Sequence, residues 1–220
     1  DAEPGPGQIR DANRFSLAAA ATSAGAEVVW TGRAPDDEAA LRALLVDRLG
    51  ESDVLLTSGG VSMGERDLVK ALLDELGTVY FRRVYMKPGK PLNFATAGDA
   101  LVFGLPGNPV SALVGFEIFV KSAFGAMAGV PEPRPRRIAA VLDHDVEPGD
   151  RPEFQRAVLW GDATGRLHVR NTGSQSSARL MSFVGANALM VIEPRDTPYR
   201  AGEAVPVIPL GPLSDRPSGR

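Results

Sequence analysis

From Asn13 to Gly129 the chain alternates helix-forming runs with short β-branched runs, and this alternation restricts its fold more than any other feature. Helix formers follow Asn13, a candidate N-cap, and Gly25 closes that run. Glu27–Gly32 (Glu-Val-Val-Trp-Thr-Gly) reads as a buried strand. Asp36 and Asp37 cap a second helix over Glu38–Leu49, with Leu41, Leu44, Leu45 and Leu49 on one face. Asp53–Ser58 is a further buried strand and breaks at Gly59-Gly60. The pattern continues with Asp67–Gly77 as helix, Val79–Met86 and Leu101–Gly104 as strands, and Val110–Gly129 as a long apolar helix. Strands separated by helices pair in parallel through crossovers, so the expected fold is an α/β three-layer domain with a mostly parallel sheet.

Around Val130–Arg137 three prolines in a charged stretch mark a boundary. Beyond it short strands take over: Ile138–Leu142, Phe154–Trp160, Leu167–Asn171, Ala188–Ile192 and Ala204–Ile208, which predict a small all-β barrel or sandwich. The expected organisation is a Pro/Gly-rich linker over 1–8, an α/β domain over 9–132, a β-barrel domain over 133–212 and a disordered tail over 213–220.

A formal net charge of −3 supplies no basic footprint, which argues against nucleic acid as the main partner. The absence of cysteine excludes disulfides, thiolate catalysis and zinc-thiolate sites. The unbroken apolar runs fall short of the roughly twenty residues that a membrane span needs. A soluble cytoplasmic protein without membrane contact is expected.

Two rigid turns stand out as chemistry. In Met86-Lys87-Pro88-Gly89-Lys90-Pro91 the frame of Pro and Gly holds two ammonium groups on a non-helical backbone, a loop suited to an oxyanion, with Arg82 and Arg83 just upstream. In Gly104-Leu105-Pro106-Gly107-Asn108-Pro109-Val110-Ser111 a second stiff turn runs into the apolar helix. A third loop, Ser58-Gly59-Gly60-Val61-Ser62-Met63-Gly64, joins strand to helix where glycines let backbone N–H groups approach a phosphate. An ordinary turn with positive-φ glycines explains it equally well on the motif alone. It is not a Walker loop, because no Gly-Lys-Ser/Thr follows. Asp67 beside this loop and Asp36 after the preceding strand are candidate Mg²⁺ ligands, whereas Asp37 reads first as a helix cap. In the β domain Arg151, Arg156 and the Ser176-Ser177-Ala178-Arg179 cluster would complete an oxyanion site if that domain folded back onto the lysine loop. His144 and His168 have no metal-ligand partner at a useful spacing.

These motifs resemble those of the molybdopterin molybdenumtransferases, the family that includes the bacterial enzyme and the E domain of gephyrin. The match rests on 7–14 (Gly-Gln-Ile-Arg-Asp-Ala-Asn-Arg), 57–67, 86–92 and 104–112, and extends through Arg151–Phe154 and Gly173–Ser182. The resemblance implies Mg²⁺-dependent cleavage of adenylylated molybdopterin with insertion of molybdate, giving molybdenum cofactor and AMP. It assigns Asp36, Asp67, Lys87 and Lys90 to catalysis, with Asp67 and Asp36 on the metal. Asn13, Gly59, Gly60, Val61, Ser62, Gly64, Pro91, Asn108, Pro109, Ser111, Arg151 and Ser177 fall at substrate-binding positions; of these, Ser111, Arg151 and Ser177 join the lysines around molybdate. The family has Ser where this chain has Ala12 and Ala178, which removes or replaces a hydrogen bond at each. It also implies a homodimer and a molybdopterin adenylyltransferase as partner. Family members begin with two further domains that help close the active site, so binding is expected to exceed turnover in this chain. Two competing readings are an adenylyltransferase of the related single-domain family and a non-catalytic molybdopterin-binding or interaction module.

Overall fold

In the computed structural model, which describes residues 5, 10–59 and 68–215, each half of the chain builds its own core. Helix α1 (Asn13–Ser23) begins behind Ala12, not behind an Asn13 cap. Asp11 serves its first turn instead, accepting from Arg14 N at 3.1 Å, which frees the Asn13 side chain for a distant contact. Gly25 (φ +89°) ends α1 as expected, in the left-handed conformation that glycine adopts without a Cβ penalty. Asp37 caps α2 (Glu38–Glu51) by accepting from Ala40 N at 2.8 Å. Leu41 and Leu45 then bury one face of that helix.

The sheet order is β1 (Val54–Ser58), β4 (Ala100–Leu105), β3 (Asn93–Ala97), β2 (Thr78–Phe81). It is mixed, not mostly parallel. Only β1 and β4 run parallel, while β3 pairs antiparallel with both β4 and β2. The reason is local: Gly98-Asp99 makes a two-residue turn, with Gly98 at φ +57°, that folds β4 straight back on β3. β3 escapes a reading of helix–strand alternation because no helix separates it from β4. β2 also stops at Phe81, short of the expected Met86.

Glu27–Gly32 is not a strand. No ladder pairs it among the described residues, and Val29 and Trp30 stay exposed at 58% and 40%. Helix α3 (Leu68–Leu76) packs Leu72 and Leu73 with Leu41, Leu45 and Leu55 on one face of the sheet. On the other face α1 and a continuous helical run pack around Leu92, Leu105 and Phe116. That run comprises α4 (Pro109–Gly115), a π turn (Phe116–Val120) and α5 (Lys121–Met127). Pro109–Met127 is long and apolar enough to cross a membrane by length and composition, yet Val110, Ala112, Val114, Phe116 and Val120 are fully buried in the cores of this chain.

The second half closes a barrel in the order β5 (Ile138–Leu142), β7 (Leu167–Asn171), β6 (Glu153–Gly161), β8 (Ala188–Ile192), β9 (Ala204–Pro209). Its interior is filled by Leu142, Leu159, Val169, Met190, Ile192 and Val207. Of the tail expected over 213–220, Ser214 is still hydrogen-bonded to the barrel. Asn187 Nδ2 donates to Pro212 O and Ser214 N donates to Leu159 O, so the chain follows β6 as far as it is described.

Three substitutions test this packing. A Cβ on Gly77 would lie 2.1 Å from Thr96 O, so Gly77→Ala is expected to cost about 1–3 kcal/mol in urea denaturation. Gly50, inside α2, has open space around it, and Gly50→Ala is expected to stabilise by about 0.5–1 kcal/mol. In the barrel, burial and then Arg170 lower the pKa of His144. Between the ordinary imidazole value and this lower one the unfolded chain takes up a proton that the folded chain refuses, so stability falls as pH drops below about 6.5. His144→Leu is expected to flatten that slope in thermal melts.

Candidate functional site

β1 and β4 are parallel, so the turns that follow them leave the sheet at the same edge. Gly59 N donates to Leu105 O at 3.3 Å, and a Cβ on Gly107 would sit 3.5 Å from Gly59 Cα. The buried Asn13 amide bolts the two turns together, donating to Ser58 Oγ at 2.6 Å and to Gly107 O at 2.8 Å. The candidate residues Asn13, Gly59, Asn108, Pro109 and Ser111 therefore share one end of the sheet. Asn108 occupies the N-cap position of α4, Pro109 its first turn, and Ser111 is buried.

The Lys87 loop approaches the same turn from the other side. Gly89 (φ +113°) holds a backbone position that favours glycine, and a Cβ there would lie 3.3 Å from Met86 Cε and 3.7 Å from Ser111 O. Val84 N donates to Lys90 O, closing the loop that includes Pro88 and leads to Pro91. Lys90 is exposed and forms no ion pair among the described residues.

The barrel does fold back onto this loop. Lys87 N donates to Pro152 O at 2.9 Å and Phe154 N donates to Lys87 O at 2.8 Å, a bridge that extends β6 across to the α/β half. Lys87 Nζ donates to Glu153 Oε1 at 2.8 Å, and Gln155 Nε2 donates to Glu153 Oε2 at 3.0 Å. Glu153 is buried, so its charge is balanced where water is scarce. Arg151 doubly hydrogen-bonds Asp150, which raises the guanidinium pKa and lowers that of the carboxyl, and its guanidinium lies 5.9 Å from the Tyr85 ring. Ser177 seals a second crossing: its Oγ accepts from Asn108 Nδ2 at 3.0 Å, and its carbonyl accepts from Val110 N at 3.1 Å.

Other expected members lie elsewhere. Arg156 does not face the site; it is fully buried in the barrel, donating from Nε to Ser182 Oγ and from Nη2 to the carbonyls of Ser174 and Ser176. Burial lowers its pKa to about 10. It positions the loop that carries Ser177. Arg82 turns away to Asp74 of α3, and Arg179 is exposed. Asp36 is exposed before α2, with no hydrogen bond tying it to the other candidates. Gly60, Val61, Ser62, Gly64 and Asp67 lie outside the described residues. No group of three or more His, Cys, Asp or Glu that could hold a metal forms among the described residues, so Asp36 is the one described candidate for Mg²⁺ and does not make a metal site by itself. Sequence reading missed Glu153, Gln155 and Tyr85. The available signal was an acidic residue followed two positions later by an amide, on the inward phase of an otherwise apolar strand.

Residues 2–126 match the family described as a probable molybdopterin binding domain, and residues 139–210 match the MoeA C-terminal region (domain IV). The chain belongs to the molybdopterin molybdenumtransferase family. It is 35% identical over 209 residues to a molybdopterin molybdenumtransferase of Haemophilus influenzae, covering 94% of this chain and 52% of that protein. It is 38% identical over 213 residues to gephyrin of Dictyostelium discoideum, covering 84% and 29%. A crystal structure of the molybdopterin biosynthesis MoeA protein from Pyrococcus horikosii superimposes with a TM-score of 0.77 at 29% identity, covering 96% of this chain and 51% of that one. The chain thus spans about half or less of the length of these relatives. Membership supports a role in molybdenum cofactor biosynthesis.

The Lys87–Glu153 pair makes a measurable prediction. Lys87 is half exposed, so the coupling between the two side chains in a double-mutant cycle is expected to be about 1 kcal/mol or less. Glu153→Ala alone is expected to cost more, about 1–3 kcal/mol, because it also strips the buried Gln155 of its acceptor. Urea denaturation of the two single variants and the double variant checks both values.

Proposed function

We propose that this chain forms the molybdate-handling part of a molybdopterin molybdenumtransferase, which inserts molybdate into adenylylated molybdopterin with release of AMP. The observation that carries the reading is the double crossing between halves. Lys87 is hydrogen-bonded into β6 beside Arg151, and Ser177 is hydrogen-bonded to the α4 turn that bears Ser111. A doubly charged tetrahedral anion needs fixed cations and hydroxyl donors from several directions, and these two crossings hold such groups on rigid backbone. Lys90 would supply an uncommitted ammonium. The edge formed by Asn13, Gly59, Pro91, Asn108 and Pro109 would hold the pterin, with the 60–67 segment as its continuation. Mg²⁺, when bound, would neutralise phosphate charge at Asp36 and Asp67. A homodimer, a cytoplasmic setting and an adenylyltransferase partner belong to the same proposal.

A second reading, an interaction module without turnover, draws on a different feature. A cavity of about 650 Å³ lies between sheet and barrel, lined by Phe81, Phe94, Phe119, Phe154, Arg134 and Arg137. Its aromatic walls with a cationic rim suit protein side chains better than an oxyanion.

Crystals soaked in tungstate are expected to show their strongest anomalous peak between Lys87, Lys90, Ser111, Arg151 and Ser177; a peak elsewhere with that place empty would overturn the assignment. Lys90→Ala is expected to weaken tungstate binding several-fold in calorimetry without lowering the melting temperature, because its ammonium makes no ion pair among the described residues. Molybdate insertion by the chain alone is expected to be slow, since positioning supplies much of an enzyme's rate. Asp67→Ala should abolish what remains, whereas Asp37→Ala should only cost about 1 kcal/mol of helix capping.

A further inference from the structure

Of the cations at the seam, Lys87 and Arg151 are already engaged by carboxylates of this chain. Lys87 Nζ donates to Glu153 Oε1, and Arg151 donates from Nε to Asp150 Oδ1 at 2.9 Å and from Nη2 to Asp150 Oδ2 at 2.6 Å. The two pairs differ in what holds the acid. The Glu153 side chain is 8% exposed and accepts also from Gln155, so separating it from Lys87 would strand a charge where water is scarce. The Asp150 side chain is 67% exposed, and water can replace Arg151 as its partner. Asp150 also lies in the field of both cations: hydrogen bonding from Arg151 is the first cause of its lowered pKa, and the charges of Arg151 and Lys87 add to it. Around the pair the main chain is fixed. Tyr85 Oη donates to Asp150 O, Lys87 N donates to Pro152 O, and the Arg151 guanidinium lies 5.9 Å from the Tyr85 ring. The Asp150 carboxylate can therefore swing into water while its own backbone and the guanidinium stay in place.

We propose that Asp150 is an internal competitor of the oxyanion: its carboxylate holds the Arg151 fork until molybdate takes the same two donors, so Asp150 sets the affinity of the site. This rests on the molybdate reading above. A guanidinium fork offers two parallel N–H groups, which accept either the two oxygens of a carboxylate or two oxygens of a tetrahedral anion. Charge and burial together decide which acid yields. With Asp150 turned to solvent and Glu153 kept on Lys87, Arg151 and the exposed Lys90 remain, two positive charges against the two negative charges of the anion. With Asp150 still on Arg151, only the Lys90 charge would be left uncompensated. Asp150 is thus the carboxylate that leaves, and Glu153 the one that keeps the two halves joined.

The test titrates tungstate by calorimetry into the unaltered chain, Asp150→Asn, Asp150→Ala and Arg151→Gln, and soaks crystals of the unaltered chain in tungstate. Each Asp150 variant is expected to bind tungstate about fivefold more tightly, because an exposed bidentate pair no longer has to be broken. In the crystals, tungstate oxygens are expected on Arg151 Nε and Nη2, with the Asp150 carboxylate turned to solvent. Unchanged or weaker binding in either Asp150 variant would show that Asp150 orients Arg151 instead, and would overturn the proposal. Tungstate on the other edge of a guanidinium that still grips Asp150 would overturn it too, and this readout stands even where a variant fails to fold. Arg151→Gln separates such a failure from failure of the molybdate reading, since it is expected to weaken tungstate binding several-fold. Binding that Arg151→Gln leaves unaltered, or no binding by any of the four proteins, would overturn that reading and this proposal with it.

Discussion

The backbone bridge between Lys87 and the start of β6 is the interaction on which the rest of the molecule depends. It joins two halves that otherwise have separate interiors, through hydrogen bonds from Lys87 N to Pro152 O and from Phe154 N to Lys87 O. Around it Met86, Val110, Val114, Phe154, Leu189, Val191 and Ile208 form a shared apolar cluster. Dry packing next to the bridge keeps the barrel from pivoting, so side chains from both halves hold their positions at the seam. Loss of that register would release Lys87, on the α/β half, from Arg151, on the barrel half.

The site is made of stiff turns rather than regular elements. Gly59 and Gly89 adopt positive φ, and Gly59 N donates to Leu105 O where the two sheet-edge turns meet. Beneath these turns lie polar groups with structural work to do. Asn13 holds the two sheet-edge turns, Glu153 receives Lys87 and Gln155, and Arg156 gathers the carbonyls of the Ser177 loop. A buried guanidinium whose pKa is lowered is a costly anchor, and it is offset by three acceptors, Ser182 Oγ and the carbonyls of Ser174 and Ser176.

Much of this was legible in the residues. Three of the barrel strand cores, Ile138–Leu142, Leu167–Asn171 and Ala188–Ile192, stand where β-branched runs between turns put them, because a half-buried strand writes its environment into local composition. Asp37 as a cap and Gly25 as a helix end are equally local events. The lysine loop and the Asn108 turn could be singled out for the same reason: Pro and Gly restrict their own backbone.

What the sequence determined by itself is therefore the set of local conformations and the two-part organisation they imply. Strand pairing was decided only in three dimensions, since a ladder needs a partner that local composition does not name. Glu27–Gly32 has strand composition and no ladder among the described residues, while Asn93–Ala97 carries no strand signal of its own and sits inside the sheet between β4 and β2. The fate of charged groups was decided there too. Arg156 and Arg151 read alike in sequence, yet one is sealed and the other stands at the seam, because the distant 174–182 segment covers Arg156 within β6, whereas Arg151 precedes that strand.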